Sequence, residues 1–400
     1  MARDFLLSDN VITNDQEVVD ICLRIKEIRS FCLDLEFITE ERYVPELSLI
    51  QLSWVEKQSI EVSVVAIDPF EVDVSPIIGI VDDPTIEMIV HSGQADIALL
   101  HTRFQSKPRG VVDTQIAAGF LGLGDQIGYA PLLEKILDIK IDKSSQYTEW
   151  SKRPLDEEQI RYALDDVRYL PLLWETLKGK LAQLNREEWF FDECNFLSNS
   201  WSQKIDPERM YTKVKGWASL NAKARGILQH IASWREKESL SSNNPPGWIM
   251  NDRTLLELCR RAPATIEALS SIRGIGKRTI DRYGSHLLLL AREGKNRKVP
   301  RPENQSKPSR LGQSWPAILS GIVQARCKEA SISPRFVATR AEIDMLITWW
   351  LSTDRGIEPD LRLLQGWRRE IAGQDILSWL SGETSVVVDS SSAGIKIEYN

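Results

Sequence analysis

The segment Ser30-Phe31-Cys32-Leu33-Asp34-Leu35-Glu36-Phe37 decides how the first half of the chain is interpreted. Apolar residues fill most of its positions, which indicates a strand, and two acids interrupt them at a spacing of two. Because successive side chains of a strand point to opposite faces, Asp34 and Glu36 share one face. Two neighbouring carboxylates in apolar surroundings repel each other and lose hydration, and a divalent cation between them removes that cost. Taken alone, these residues also fit a half-exposed edge strand with an acidic outer face.

The composition is that of an ordinary globular protein. Four hundred residues suggest two or three domains, and five scattered cysteines without Cys-x-x-Cys spacing argue against a disulfide framework or a zinc site. No apolar run approaches the roughly 20 residues that a membrane helix requires. The first residues contain acids where a secretory signal has an apolar core. We therefore expect a cytoplasmic protein without a membrane partner.

Charge divides the chain into an acidic part and a basic part. Residues 1–206 contain 20 Lys and Arg against 37 Asp and Glu, a net charge of −17. Residues 207–310 contain 21 against 9, a net charge of +12, and residues 311–400 carry −2. The acidic part suits cations, and the basic part suits phosphates.

The first half of the chain has the element pattern of a mixed α/β sheet. A helical pattern over 11–29 precedes the acidic strand, and strands at 47–55 and 60–67 follow it with short connections, as in an antiparallel meander. The next elements are a strand at 86–91, a helix at 94–104, a short strand at 110–113 and a helix ending at residue 120. Strands followed by alternating strands and helices predict a mixed sheet.

Asp96 is a third candidate acid, in the first turn of the helix that follows the Ser92-Gly93 turn. An acid at this place also complements the helix dipole, which contributes about 0.3–1 kcal/mol and explains Asp96 without any catalytic role. Asp96 belongs to a catalytic site only if acids from distant parts of the chain lie close to it in the fold; otherwise the helix dipole explains it.

The fourth candidate acid lies on an amphipathic helix within residues 154–170. Tyr162 and Asp166 are four residues apart, so they lie one above the other on a single face. Asp165 is turned by about 100° from that face. It lies three residues from Arg168 and four from Arg161, so a solvated ion pair accounts for it. We therefore choose Asp166 for the site.

These residues together resemble the three motifs of the DEDD exonuclease superfamily, in the branch that has tyrosine in the third motif. The segments 43–52, 112–115 and 142–155 resemble the ribonuclease D family, and the similarity covers residues 1–195. The resemblance implies a ribonuclease H-like 3′–5′ exonuclease domain with two divalent ions, Mg²⁺ or Mn²⁺, because four converging carboxylates cannot all ionise without cations. The implied catalytic residues are Asp34, Glu36, Asp96, Tyr162 and Asp166, of which the four acids hold the metals.

In the roles that the resemblance implies, Asp34 bridges both metals. Glu36 and Asp166 serve the metal on the side of the attacking water, and Asp96 serves the metal at the leaving group, mainly through water. Tyr162 orients the water, because a phenol at neutral pH is a hydrogen-bonding group rather than a base.

The second half of the chain is predicted to be helical. Short helices are expected at 212–218, 222–238, 252–261, 264–270 and from 276 onward, and the segments 217–236, 245–250 and 269–278 resemble the HRDC domain. The resemblance predicts an exonuclease domain at 1–195, an HRDC domain at 207–294 and a second HRDC-like domain at 311–383. Composition predicts a basic Pro-rich linker at 295–310 and, from its serine content, a flexible tail at 384–400. The fold class is therefore an α/β domain followed by two small all-α domains.

Nucleic-acid binding is expected in the basic segment. A Gly-x-Gly sequence before a helix can offer backbone N–H groups to a phosphate, although by itself it is usually only a turn. The candidate residues are Lys213, Lys215, Lys223, Arg225, Gly274, Gly276, Lys277 and Arg278.

The sequence thus predicts a metal-dependent exoribonuclease that hydrolyses RNA from single-stranded 3′ ends and releases nucleoside 5′-monophosphates. The resemblance suggests tRNA precursors as substrates, and no obligate protein partner is evident. Two alternatives stay open: a DNA 3′–5′ exonuclease of the same superfamily, because these motifs do not reveal contacts with the 2′-OH, and a non-catalytic nucleic-acid-binding adaptor. Loss of one acid would favour the adaptor, but all four acids and Tyr162 are present.

Overall fold

The computed structural model describes residues 5–7, 11–56, 61–141, 149–202, 206–297, 299, 314–352, 356–389 and 394–399. The chain forms two compact units. Unit 1 comprises Met1–Phe37, Leu47–Gln203 and Ser306–Asn400, and unit 2 comprises Ile38–Glu46 and Lys204–Gln305. The region predicted as a separate second HRDC-like domain therefore belongs to the same unit as the sheet. Most of the predicted linker at 295–310 lies outside the described residues, as does 142–148 of the segment that resembles ribonuclease D.

Unit 1 is built on a six-stranded mixed sheet with the order β1-β4-β3-β2-β5-β6. The strands are β1 Phe5–Leu7, β2 Ser30–Ile38, β3 Glu46–Val55, β4 Val62–Ile67, β5 Glu87–Val90 and β6 Val111–Asp113. Strands β3 and β4 are antiparallel, whereas β2 pairs with β5 and β5 pairs with β6 in parallel. The predicted mixed α/β class is confirmed. Because β2, β5 and β6 are parallel, their carboxyl ends lie at one edge of the sheet.

Eight helices accompany this sheet within the described residues of 11–202. They are α1 Asp15–Ile28, α2 Ser75–Val81, α3 Gln94–Phe104, α4 Thr114–Phe120, α5 Tyr129–Leu137, α6 Glu157–Arg168, α7 Leu170–Gln183 and α8 Glu187–Trp201. The sequence analysis did not predict α2, α5, α7 or α8. Helix α8 buries Phe190 and Cys194, which is why the chain stays helical beyond residue 195.

The described residues of unit 2 between 206 and 297 are helical. After two 3₁₀ segments, Pro207–Lys213 and Trp217–Ser219, the helices are α9 Ala222–Ser242, α10 Pro246–Ile249, α11 Asp252–Arg261, α12 Ile266–Ser270 and α13 Lys277–Gly294. The predicted helix at 212–218 is wrong, because Val214 is extended and Gly216 is left-handed with φ 96°. Residues 38–46 also belong to this unit, where the Val44 N–H donates to Asn243 Oδ1 at 2.8 Å.

The C-terminal part of unit 1 is helical and ends in a hairpin. Its helices are α14 Trp315–Glu329, α15 Pro334–Val337, α16 Arg340–Trp350, α17 Gly366–Arg368 and α18 Gln374–Ser381, with a 3₁₀ segment at Arg362–Leu364 and a π-helical segment at Arg369–Gly373. The predicted flexible tail at 384–400 is wrong for the described residues, because β7 Thr384–Asp389 and β8 Gly394–Tyr399 form an antiparallel pair. The Tyr399 hydroxyl also donates to Asp375 Oδ1 at 2.9 Å, which ties the hairpin to α18.

The C-terminal helices share a core with the sheet-containing part of unit 1. The rings of Phe120 and Phe336 stack with their centroids 5.0 Å apart. Glu193, which is 2% exposed, forms ion pairs with both Arg362 and Arg368. A buried carboxylate with two guanidinium partners strongly restrains the elements that carry it. None of the helices in the described part of the chain is long and apolar enough to cross a membrane.

Candidate active site

Strand β2 presents Asp34 and Glu36 on one face, as the alternation predicts. Their neighbours Leu33 and Leu35 point to the other face and are buried, whereas the two acids are half-buried. The acids lie in the carboxyl half of β2, towards the edge at which the parallel strands end.

Helix α6 brings the third carboxylate to the same place. The helix starts with a capping box between Asp156 and Gln159, and the Ser53 hydroxyl on β3 donates to the Val167 carbonyl at 2.7 Å. With the helix fixed in this way, Asp166 joins the pair on β2. One carboxylate oxygen from each of Asp34, Glu36 and Asp166 lies within 4.8 Å of the others.

Asp96 lies in the first turn of α3, as predicted, and is 7% exposed. It is not one of the three carboxylates that share the 4.8 Å cluster. Its charge nevertheless raises the pKa values of both Asp34 and Glu36. The described residues therefore place three acids together and the fourth within electrostatic reach of them.

The electrostatics of the four acids follow from burial and mutual repulsion. Burial, followed by the charges of Asp96, Asp166 and Glu36, raises the pKa of Asp34 well above its ordinary value. Burial and then the charges of Asp166 and Asp96 raise the pKa of Glu36 to about 8. Burial is also the largest cause that raises the pKa of Asp96 to about 7. The protein alone therefore does not stabilise four ionised carboxylates here.

The donor set fits divalent cations that prefer oxygen. Three clustered carboxylates supply only hard oxygen ligands, the set that Mg²⁺ and Mn²⁺ favour. Positive charge at this place would also relieve the repulsion that raises the carboxyl pKa values. No nitrogen or sulfur ligand joins the cluster among the described residues.

Tyr162 lies beside Asp166 on the same face of α6, with its hydroxyl near the Asp166 carboxylate. Burial, followed by the charges of Asp166, Glu36 and Asp34, raises the pKa of Tyr162 above its ordinary value. The phenol is therefore protonated at neutral pH and acts as a hydrogen-bonding group. Its ring lies beside Trp150, with the centroids 6.2 Å apart.

Asp165 is turned towards Arg168, as the helical periodicity predicts, and the Arg168 Nη1 to Asp165 Oδ1 distance is 3.0 Å. The prediction of a solvated pair is wrong, however, because only 19% of the Asp165 side chain and 14% of the Arg168 side chain are exposed. Burial raises the pKa of Asp165, and the charges of Arg168 and Arg161 oppose that rise.

Sequence reasoning missed Asp113, which holds the turn in front of α3. Its carboxylate is 1% exposed and accepts hydrogen bonds from the backbone N–H groups of Ser92, Gly93 and Gln115. The N-cap position before α4 was visible as an acid between a strand and a Thr-Gln helix start. The hydrogen bonds to Ser92 and Gly93 could not be predicted from the sequence, because these residues lie about twenty positions earlier in the chain.

The predicted nucleic-acid-binding residues of unit 2 divide into exposed and buried groups. Arg225 is 3% exposed and donates from Nη1 to the Leu220 carbonyl at 2.6 Å, so its assignment as an RNA contact is wrong. It lies on the face of α9 that packs into the core of the unit. The other candidates are exposed: Lys213, Lys215, Lys223, Gly274, Gly276, Lys277 and Arg278.

Two parts of the chain match known protein families. A family described as 3′–5′ exonuclease matches residues 10–182, and the HRDC domain matches residues 224–290. A ribonuclease D from Gluconacetobacter diazotrophicus is 31% identical over 387 residues, which are 95% of this chain and 95% of that protein. A ribonuclease D from Granulibacter bethesdensis is 31% identical over 97% of this chain and 96% of its own length.

A solved structure shares the fold over nearly the whole chain. The crystal structure of Escherichia coli RNase D, described as an exoribonuclease involved in structured RNA processing, superposes with a TM-score of 0.80 at 24% identity. The match covers 96% of this chain and 99% of that one. The catalytic core of RRP6 from Trypanosoma brucei matches less closely, with a TM-score of 0.53 and 74% of this chain covered.

Proposed function

The chain belongs to the ribonuclease D family of 3′–5′ exoribonucleases, and on that premise we propose that it hydrolyses RNA 3′ ends at a two-metal site formed by Asp34, Glu36, Asp96 and Asp166. The observation that supports this site most directly is the cluster of Asp34, Glu36 and Asp166, whose carboxylate oxygens lie within 4.8 Å of one another. Asp96 adds a fourth negative charge that acts on the same cluster.

The four acids would hold two Mg²⁺ or Mn²⁺ ions. Asp34 would contact both ions, Glu36 and Asp166 the one beside the attacking water, and Asp96 the one beside the departing 3′ oxygen, mainly through water. Held by these acids, divalent cations would supply positive charge to the scissile phosphate and would lower the pKa of the attacking water.

Tyr162 would orient the attacking water. Its protonated hydroxyl lies beside Asp166 and can hydrogen-bond a water on that side of the cluster. A phenol with a raised pKa does not remove a proton at neutral pH, so Tyr162 contributes position rather than basicity. Hydrolysis by a water at the last phosphodiester bond releases a nucleoside 5′-monophosphate.

RNA with a single-stranded 3′ end is the proposed substrate, and tRNA precursors are the proposed natural source. The ribonuclease D relatives support the choice of RNA. The basic segment 207–310, most of which belongs to unit 2, supports binding of a polyanion, because its net charge is +12 and most of the candidate cations there are exposed. Trp248, which is 61% exposed beside Arg278 and Arg282, adds an aromatic surface on which a base can stack.

The test is to incubate the full chain with a 3′-extended tRNA, a single-stranded RNA and the matching DNA, each with Mg²⁺, with Mn²⁺ and with a chelator. We expect stepwise shortening of both RNAs from the 3′ end, release of nucleoside 5′-monophosphates, and no reaction with the chelator. Asp34→Asn is the inactive control, since it removes a central charge without changing side-chain volume.

Two results would contradict the proposal. Preferential shortening of DNA would make the chain a DNA exonuclease of the same fold. RNA binding without cleavage under every metal condition would support the non-catalytic adaptor. A cytoplasmic location and action without an obligate protein partner stay predictions.

A further inference from the structure

Arg153 is the centre of a polar cluster in unit 1 that the catalytic proposal does not use. Its Nη2 donates to Asp68 Oδ1 at 2.9 Å and to the Ser48 carbonyl at 2.6 Å, and its Nε contacts the other oxygen of Asp68. Its Nη1 donates to the carbonyls of Trp150 and Lys152, each at 2.8 Å. All five N–H donors of the guanidinium therefore have acceptors.

The cluster joins the sheet to the segment that precedes α6. Asp68 follows the last residue of β4 and is 3% exposed, and Ser48 lies on β3. The ring of Phe70 packs against the guanidinium, 4.7 Å from its central carbon. Because a guanidinium forms this fork of bonds as one rigid plane, a lysine cannot reproduce it.

Trp150 connects this cluster to the active site. Its carbonyl is fixed by Arg153, its side chain is 5% exposed, and its ring lies 6.2 Å from the ring of Tyr162, tilted by 40°. Tyr162 therefore has the Trp150 ring on one side and Asp166 one turn further along the same face of α6. A shift of Trp150 would leave the Tyr162 ring free to rotate away.

We propose that Arg153 is a positioning residue for Tyr162: its bonds to Asp68, Ser48 and Trp150 hold the indole against the phenol and so fix the hydroxyl beside Asp166. The contacts of Arg153 are with Asp68, Ser48, Trp150, Lys152 and Phe70, and none of the four acids of the cluster is among them. The inference rests on the proposed role of Tyr162 in orienting the attacking water.

The first test is Arg153→Lys in the full chain, which keeps the charge and loses the fork. The matched control is Lys152→Gln, because Lys152 is the adjacent residue, its side chain is 71% exposed, and its Nζ lies 2.6 Å from Glu149 Oε2 in an exposed ion pair. We expect Arg153→Lys to lower kcat on a short single-stranded RNA by about 10- to 100-fold, the usual cost of misplacing a reacting group. KM and the Mg²⁺ requirement should change little, and the control should match the parent.

Because a variant at a buried pair can also weaken the fold, the decisive test is a double-mutant cycle with Tyr162→Phe. If Arg153 acts through the Tyr162 hydroxyl, Arg153→Lys should lower kcat in the parent but hardly at all in the Tyr162→Phe background. A general loss of stability would lower kcat by the same factor in both backgrounds. Unfolding temperatures of all four proteins ensure that each is folded at the assay temperature.

Variants at Trp150 test whether Arg153 acts on Tyr162 through the indole ring. Trp150→Ala should reproduce the kcat loss of Arg153→Lys, and Trp150→Phe, which keeps an aromatic ring against Tyr162, should recover most of it. The inference is overturned if Arg153→Lys leaves kcat unchanged or gives equal losses in both backgrounds while Tyr162→Phe is impaired. In that case the proposed function stands. If Tyr162→Phe itself retains the parent kcat, the proposed role of Tyr162 fails, and the inference fails with it.

Discussion

The Oδ2 atom of Asp113 accepts a hydrogen bond from the backbone N–H of Gly93 at 3.0 Å, so the end of β6 holds the turn that leads into α3. Asp113 Oδ1 accepts a second bond from the N–H of Ser92, also at 3.0 Å. A Cβ atom on Gly93 would lie 2.5 Å from a methyl group of Val90, so the turn needs glycine for its close approach to β5. Asp96, three residues beyond Gly93, takes its position from this arrangement.

Asp113→Asn should therefore impair metal binding although Asp113 is not a proposed ligand. An amide has one acceptor oxygen, and its NH₂ group would face a backbone N–H that needs an acceptor. We expect the loss of a buried hydrogen bond to cost about 1–3 kcal/mol of unfolding free energy, and we expect a higher Mg²⁺ concentration for half-maximal activity. Mg²⁺ titrations of the initial rate provide the measurement.

The control for this variant is Asp83→Asn, because Asp83 accepts the N–H and the hydroxyl of Thr85 in an exposed turn away from the acids. Its Mg²⁺ requirement should equal that of the parent. An unchanged Mg²⁺ requirement in Asp113→Asn would show that α3 keeps its place without this carboxylate.

The two neighbouring acids of α6 should differ sharply. Asp166→Asn removes a carboxylate from the cluster, and we expect a loss of turnover of about 10²-fold or more, as for other groups that stabilise charge in a transition state. Asp165→Asn should keep turnover per folded molecule but lower the unfolding temperature, because Arg168 loses its half-buried partner. Initial rates and thermal unfolding of both variants test the contrast. A severe loss of turnover in Asp165→Asn would reverse the assignment of the two residues.

Metal-free protein should lose stability as the pH rises, and Mg²⁺ should restore it. The folded-state pKa values of Glu36 and Asp96, about 8 and about 7, lie above the ordinary carboxyl value of about 4. A raised acid pKa means that ionisation opposes folding, so the stability of the metal-free fold falls as the pH rises from about 4 to about 7 or 8 and changes little above that. A bound cation favours the ionised forms and removes that penalty.

The measurement is the unfolding temperature with Mg²⁺ and with a chelator, at about pH 5.5 and about pH 8.5. The rise caused by Mg²⁺ should be larger at the higher pH and smaller in Asp34→Asn, which has one carboxylate fewer. An Mg²⁺ effect that is independent of pH and of Asp34 would place the cation away from these acids.

The residues that sequence alone could assign are those with a local periodicity. Alternation in β2 placed Asp34 and Glu36 on one face, and the spacing of four in α6 separated Asp166 from Asp165. Asp113 and Arg153 could not be assigned in this way, because Gly93 and Ser48, with which they form hydrogen bonds, lie 20 and 105 residues earlier in the chain. Such contacts depend on the fold of the whole sheet rather than on any local pattern.

The type of a residue also did not predict whether its side chain is buried or its segment ordered. Arg225 reads as a surface cation, but α9 packs on several sides and buries the consecutive residues 224–228. The Ser-rich composition of the C-terminus predicts a flexible tail, but Val386 pairs opposite Ile397 and Val388 opposite Ile395 in a hairpin. In both cases residue composition predicted an exposed or flexible segment, whereas the packing of the folded chain made it buried or ordered.

The C-terminal helices limit how RNA binding can be tested. Removing everything beyond residue 200 would expose Phe120, which stacks on Phe336, and would leave Glu193 without Arg362 and Arg368. Leaving a buried charge unpaired costs several kcal/mol, so a truncated protein would confuse lost folding with lost binding. Substitutions in the full chain avoid this problem.

Neutralising the exposed cations of unit 2 should flatten the salt dependence of RNA binding. Each phosphate contact on a single strand contributes a log–log slope of about −0.7 through counterion release, so five lost contacts would change the slope by about 3.5. The variant changes five exposed side chains to glutamine: Lys213, Lys215, Lys223, Lys277 and Arg278. The control makes the same change of charge in unit 1 at Lys26, Arg103, Lys107, Lys135 and Lys180, which are also exposed. Binding is measured with a chelator present, so that the RNA is not cleaved.

Cleavage of a short oligonucleotide by both variants should match the parent, because none of these residues contributes to the acidic cluster. Equal slopes for the parent and both variants would mean that RNA is held mainly by other residues, and the positive charge of unit 2 would need a different explanation.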